Sequence, residues 1–100
     1  MPIVQHMVVV KFKLEVSAQK IDELFDQLND FWRRTRGIRY FAGGPYSSPE
    51  GLNQGYTHGF LVTFDSSAAR DTYLGLPEHQ QIVERILPCL DGVLAFDFEV

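Results

Sequence analysis

Cysteine is almost missing from this 100-residue chain: Cys89 stands alone. No intrachain disulfide can form, which fits a reducing compartment, and Cys89 itself reads as a half-buried core residue. Long apolar runs are missing too; none approaches the roughly 20 residues that a membrane span requires. No secretory signal pattern is visible, so the expected location is the cytoplasm. Positive charge is scarce, with 9 Lys and Arg against 13 Asp and Glu and a net charge of −4. A general nucleic-acid binder would show a basic field, so that class is set aside. The one basic cluster, Arg33, Arg34, Arg36 and Arg39, reads as a helix C-terminus complementing the dipole. Gly43, Gly44 and Gly51 are loop glycines, not a phosphate-binding fingerprint, and no G-x-S-x-G nucleophile turn occurs. No Cys/His or His/carboxylate spacing matches a zinc site, although a metal held by loop carbonyls would leave no mark in a sequence. Any catalysis is therefore expected to be acid–base work without a cofactor, in an apolar pocket.

What is present is enough for a core. Apolar residues make up 45% and aromatics 13%, so one folded domain over residues 1–100 is expected. A domain this small leaves much surface exposed, and self-association would help it. Ile3 to Lys13 is valine-rich and predicts a strand, with His6, Val8, Val10 and Phe12 on one face. Both of its faces are partly apolar, which suggests a central strand covered on both sides. Ser17 looks like a helix N-cap, and Ile21, Leu24, Phe25, Leu28, Phe31 and Trp32 recur at helical spacing until Gly37. Ile38 to Ala42 predicts a short strand, and Gly43 to Gly55, with its prolines and glycines, a loop. Tyr56 to Phe64 alternates, with Tyr56, His58, Phe60, Val62 and Phe64 sharing one face. Asp65, Ser66 and Ser67 cap a short helix running to about Gly75. Pro77 opens a second piece whose apolar stripe is Ile82, Val83, Ile86, Leu87 and Leu90. A last strand, Val93 to Val100, follows an Asp91-Gly92 turn.

The order β-α-β-β-α-β predicts an α+β, ferredoxin-like fold, an antiparallel sheet with its helices on one face. Met7, Val9, Thr57 and Leu61 make the other face too apolar for open water, so a homodimer through that sheet face is expected, closing an α/β barrel. Among titratable groups His79 stands out. Ile82, Val83 and Ile86 lie at i+3, i+4 and i+7 from it, so its imidazole points with the apolar stripe. At a helix N-terminus the dipole disfavours its protonated form, which suits a general base. The bland alternative is a buried histidine bonded to a carbonyl. Tyr73 lies six residues earlier, but Pro77 breaks the helical count and lets both side chains turn toward one cavity. A phenol there could stabilise a developing oxyanion, or simply pack its ring in the core. His6 and His58 face the helices toward opposite ends of a shared ladder, which argues against a two-histidine metal site. Asp97 could orient an imidazole. Val8, Val10, Phe25 and Phe60 complete the candidate pocket, for a small apolar or aromatic ligand.

The opening His6-Met-Val-Val-Val-Lys-Phe-Lys13, the segment from Ser48-Pro-Glu-Gly to Tyr-Thr-His58, and Tyr73 followed by Pro77-Glu-His79 resemble the stress-responsive dimeric α/β-barrel (Dabb) family over nearly the whole chain. That family holds heat- and salt-stress proteins, many bacterial proteins without an assigned role, a plant polyketide cyclase (olivetolic acid cyclase) and a plant hydroxynitrile lyase. The resemblance implies that Tyr73 and His79 match the cyclase's catalytic pair, that His6 and His58 match its strand histidines, and that Asp97 matches an acidic residue of its last strand. His79 would then remove a proton alpha to a carbonyl while Tyr73 holds the carbonyl oxygen. Leu76 stands where the cyclase has another histidine, and Leu28 where it has a pocket tyrosine, so the substrate does not carry over. Three functions follow: a small-molecule pocket protein acting as a cyclase or lyase; a non-catalytic stress protein whose output is its oligomer; and, by fold analogy alone, a cofactor-free monooxygenase.

Overall fold

The structure, a computed structural model, describes residues 2–100. Strand β1 (Val4–Phe12) leads to helix α1 (Ala18–Arg33), then strands β2 (Ile38–Pro45) and β3 (His58–Phe64). Helices α2 (Ser67–Leu74) and α3 (Pro77–Ile86) follow, and a 3-10 turn at Leu87–Cys89 delivers the chain to strand β4 (Leu90–Glu99). The four strands pair antiparallel in the order β2-β3-β1-β4. This is the ferredoxin-like βαββαβ arrangement, with its second helix in two pieces.

Local chemistry explains the boundaries. The Ser17 hydroxyl accepts the Lys20 N–H at 3.1 Å and starts α1, and the Ser66 hydroxyl does the same for α2 with Ala69 N–H at 3.1 Å. Past α1 the chain turns at Gly37, whose φ is +85°. A Cβ there would sit 2.7 Å from that of Ala69, so glycine is required both by the backbone and by the approach of α2. Strand β1 buries Val4, His6, Val8, Val10 and Phe12 against the helices, as its alternation requires. Leu24, Leu28, Phe31 and Trp32 of α1 supply the opposing layer. Each such side chain contributes about 1.5–3 kcal/mol through removal from water. Phe64, Val62 and Tyr73 complete the core at one end, and Phe12 with Leu24 anchors the other.

Several expectations needed correction. Gly43, Gly44 and Pro45 belong to β2, not to a loop: Gly43 pairs with Phe60 and Pro45 with His58. A Cβ on Gly43 would lie 2.8 Å from both Phe25 and Phe60, so the glycine serves packing, and Pro45 is tolerated because β2 is an edge strand. Asp91 and Gly92 are not a turn. Strand β4 begins at Leu90, and the pair lies where its ladder with β1 slips between Lys11 and Phe12. Tyr56 does not continue the helix-facing stripe of β3, because its ring lies under the Lys11 ammonium, 4.9 Å from the centroid, on the other side of the sheet. Thr57 turns its side chain toward β1, where its hydroxyl accepts the Phe12 N–H at 3.2 Å. The arginine reading holds in part: Arg33 lies in the last turn of α1 and Arg34 caps it, while these and Arg39 also pair with Asp30, Glu78 and Asp65. Leu87 leaves the apolar stripe in the 3-10 turn and is exposed.

All helices lie on one face of the sheet. The other carries Met7, Leu94, Phe96 and Phe98 in adjacent register, with Phe96 62% exposed and Leu94 51% exposed. Leu61 and Val9 extend the same apolar surface across β3 and β1. Scattered single apolar residues are common on protein surfaces, but these lie side by side on adjacent strands. Among the described residues no helix is long and apolar enough to cross a membrane.

Candidate functional site

Pro77 forces Leu76 into an extended conformation, φ −67° and ψ 139°, which ends α2 and sends α3 off in a new direction. That break brings the last turn of α2 against the first turn of α3. The Tyr73 and His79 rings meet with centroids 4.8 Å apart at 61°. Tyr73 is 2% exposed and packs between Phe31 and Phe64, at 5.4 and 4.9 Å. Its hydroxyl accepts the Trp32 indole N–H at 3.1 Å, which leaves its own proton free to donate.

His6, from the middle of the sheet, comes to 6.2 Å from the Tyr73 ring. Its Nδ1 lies 2.6 Å from Asp97 Oδ1, because the ladder sets His6 opposite Asp97. The second carboxylate oxygen of Asp97 accepts from Arg70 Nη1 at 2.9 Å, and Arg70 Nε donates to Asp71 at 2.8 Å.

His6, Tyr73 and His79 converge on a cavity of about 250 Å³ between sheet and helices. Of the other predicted pocket residues, Val8, Val10 and Phe60 line it. Phe25, His58 and Asp97 do not. His58 pairs with Val10, four positions along β1 from His6, or roughly 13 Å at the usual strand rise. It sits between Phe12 and Phe25, with centroids at 5.1 and 5.7 Å, and belongs to the far end of the core. Asp97 stands behind His6. The remaining wall is apolar: α1 and α3 supply Leu28, Phe31, Ile82, Val83 and Ile86, and β4 supplies Leu90, Val93 and Ala95. A larger trough of about 620 Å³ lies on the open sheet face beneath Tyr46 and Leu52, and none of His6, Tyr73 or His79 reaches it. Among the described residues no group of three or more His, Cys, Asp or Glu side chains is placed to hold a metal.

The environment tunes these groups. Burial, and then the nearby His6, hold His79 below the ordinary histidine range, opposed by a backbone contact with Leu74. Burial pushes the Tyr73 phenol up, against the Trp32 hydrogen bond. At neutral pH the cavity therefore presents a neutral imidazole beside a protonated phenol, an acceptor next to a donor. Burial likewise lowers His58, opposed by Asp22. For both histidines the folded state binds protons less readily than the unfolded chain. Their contribution to stability is thus present above about pH 6.5 and lost on acidification through the lower, folded value. Thermal unfolding followed from about pH 7.5 to 5 should show a falling Tm. His79→Gln should flatten that slope, and an unchanged slope would show that His79 titrates no differently once folded.

Arg70 and Trp32 were not foreseen as parts of the site. Arg70 had a signal, since it stands three residues before Tyr73 and thus on the same face of α2. Trp32 had none beyond its place in the stripe of α1.

A family model described as Stress responsive A/B Barrel Domain matches residues 4–100. The stress-response A/B barrel domain-containing protein HS1 of Arabidopsis thaliana is 35% identical over 96 residues, covering 96% of this chain and 88% of its own. A dimeric ferredoxin-like protein of unknown function from Jannaschia sp. CCS1 superposes with a TM-score of 0.88 at 29% identity, over 98% of this chain and 99% of that one. A hydroxynitrile lyase from Passiflora edulis shares the fold with a TM-score of 0.90 at 20% identity, over 98% and 93% of the two chains.

Proposed function

The chain belongs to the stress-responsive A/B barrel domain family, and from that premise we propose that it is a homodimeric small-molecule-binding protein that moves protons alpha to a carbonyl without a cofactor. The observation that carries this reading is the meeting of His79, Tyr73 and His6 on one apolar cavity. His79 is the base, and the Tyr73 hydroxyl donates to the carbonyl oxygen as negative charge builds on it. The Trp32 N–H, donating to the same phenol oxygen, polarises that O–H bond and strengthens its donation. Arg70 is engaged by two carboxylates, and among the described residues no Lys or Arg lines the cavity, so nothing there favours a substrate carboxylate or phosphate. The ligand is accordingly an uncharged molecule of about one ring; an apolar cavity of about 150 Å³ already takes up benzene.

A polyketide cyclase or a lyase would both use this step. That a hydroxynitrile lyase is built on the same fold is an analogy of architecture, compatible with acid–base chemistry here. The dimer reading is supported by the apolar open sheet face and by the dimeric state given for the Jannaschia relative. The test is deuterium exchange at the methyl group of acetophenone and its ring-substituted analogues in D2O, followed by proton NMR. The protein should accelerate exchange, and the methyl signals of Val8, Val10 and Ile82 should shift on binding. No acceleration and no shift across the series would overturn the reading.

A second reading, a stress-response oligomer that catalyses nothing, draws on the burial of Tyr73 and the satisfied state of its hydroxyl. Under it the pair is packing, and function lies in the assembled sheet face.

A further inference from the structure

We propose that Arg70 is a positioning residue for the cavity: by holding one oxygen of Asp97 it aims the other at His6, keeping the His6 proton on Nδ1 and leaving Nε2 to face the cavity as a second proton acceptor. This rests on the acid–base reading of the cavity given above.

The geometry is a chain of three groups from three elements. Arg70 of α2 reaches Asp97 of β4, and Asp97 reaches His6 of β1. Asp97 divides its oxygens, Oδ2 to Arg70 at 2.9 Å and Oδ1 to His6 at 2.6 Å. A carboxylate held from one side only turns easily, because its terminal torsion is broad. Asp97 is 24% exposed, so water competes for it, and Arg70, at 22%, closes that side. An ionised carboxylate can only accept, so the hydrogen of the short contact belongs to Nδ1. The partner of one imidazole nitrogen thereby decides what the other can do. Here the other is Nε2, on a ring that lines the cavity beside Tyr73 and His79. Arginine is suited to the place because its fork serves Asp97 from Nη1 and Asp71 from Nε together, which a lysine ammonium cannot reproduce in one plane.

Asp97→Asn makes the test. If Arg70 commands the outer oxygen, it will hold the amide oxygen, and the amide NH2 must then face His6. An NH2 is a donor, so Nδ1 becomes an acceptor and the proton moves to Nε2. Nitrogen-15 NMR of the imidazole at about pH 8, on the basic side of the ordinary histidine range, reads the tautomer directly. Expected are the Nδ1–H form in the unaltered protein and the Nε2–H form in Asp97→Asn. In the double variant Asp97→Asn with Arg70→Leu the amide is free to turn its oxygen inward, and Nδ1–H should return. Retention of Nδ1–H in Asp97→Asn alone would overturn the proposal, as would an Nε2–H form that persists in the double variant. Should the double variant fail to fold, Arg70→Lys on the Asp97→Asn background carries the comparison, with a mixture of tautomers expected and pure Nε2–H counting against it. In the exchange assay Asp97→Asn should lower kcat about tenfold or more with KM little changed, since misorientation and not binding is altered. The NMR arm needs no turnover: absence of exchange in the unaltered protein would remove the catalytic reading while the tautomers still judge Arg70.

Discussion

His79→Ala should slow proton exchange roughly 10²–10⁴-fold, the usual contribution of a positioned base. His79 is half-buried in the first turn of α3, where its side chain meets the Tyr73 ring, the Leu74 backbone and the cavity. Its removal enlarges an existing hollow without stranding a buried charge, so the protein should stay folded. Tyr73→Phe is its counterpart and should cost about 10²–10³-fold, the scale for losing one oxyanion donor. It also removes the acceptor of the Trp32 N–H, which leaves that buried donor unsatisfied at about 1–3 kcal/mol. The two variants thus separate chemistry from packing. His79→Ala should reduce kcat with modest loss of stability, whereas Tyr73→Phe should reduce both. If His79→Ala lowers Tm and leaves exchange untouched, the imidazole is structural and the oligomer reading gains. Initial rates in D2O and thermal unfolding of the same samples decide it.

Leu61→Lys should turn a dimer into a monomer. Leu61 sits mid-sheet on the open face, opposite Met7 on β1 and Ala42 on β2. In a lone chain a lysine there can reach water. Between two sheets it becomes an unpaired buried charge, and two-fold symmetry introduces it twice. Burying such a charge costs several kcal/mol, and each 1.4 kcal/mol is a factor of ten, so association should weaken by about a thousandfold or more. Light scattering across a dilution series checks it. A dimer that survives would place the interface elsewhere and leave the exposed Phe96 and Leu94 without a partner. The same variant bears on function: if exchange persists in the monomer, the cavity does not need the second subunit.

Much of this architecture was legible because periodicity reports which face of an element meets a core. The alternation of β1 and the stripe of α1 predicted their buried residues, and the serine caps and Pro77 predicted where helices begin. Boundaries were legible where one residue type has one conformational use, as at Gly37. They failed where a residue serves packing instead. Gly43 and Pro45 read as loop because their types favour turns, yet contact with Phe25 and an edge position put them in a strand. Tyr56 failed because alternation presumes a strand, and the strand starts only at His58.

The candidate site divides in the same way. Spacing by itself determined that His79 turns inward with Ile82 and Ile86, and that Pro77 frees Tyr73 from the helical count. Composition determined that one cysteine and a net negative charge leave a core of aromatics and valines to do the work. Only the tertiary structure decided which of the three histidines share a cavity. The pattern already set His6 and His58 toward opposite ends of a shared ladder, but it did not say which end Tyr73 and His79 would meet, and the packing of α2 and α3 put them at His6. Only the tertiary structure, too, revealed Arg70 behind Asp97 and Trp32 behind Tyr73. Contacts between residues far apart in the chain depend on how elements pack, and local periodicity carries no record of that distance.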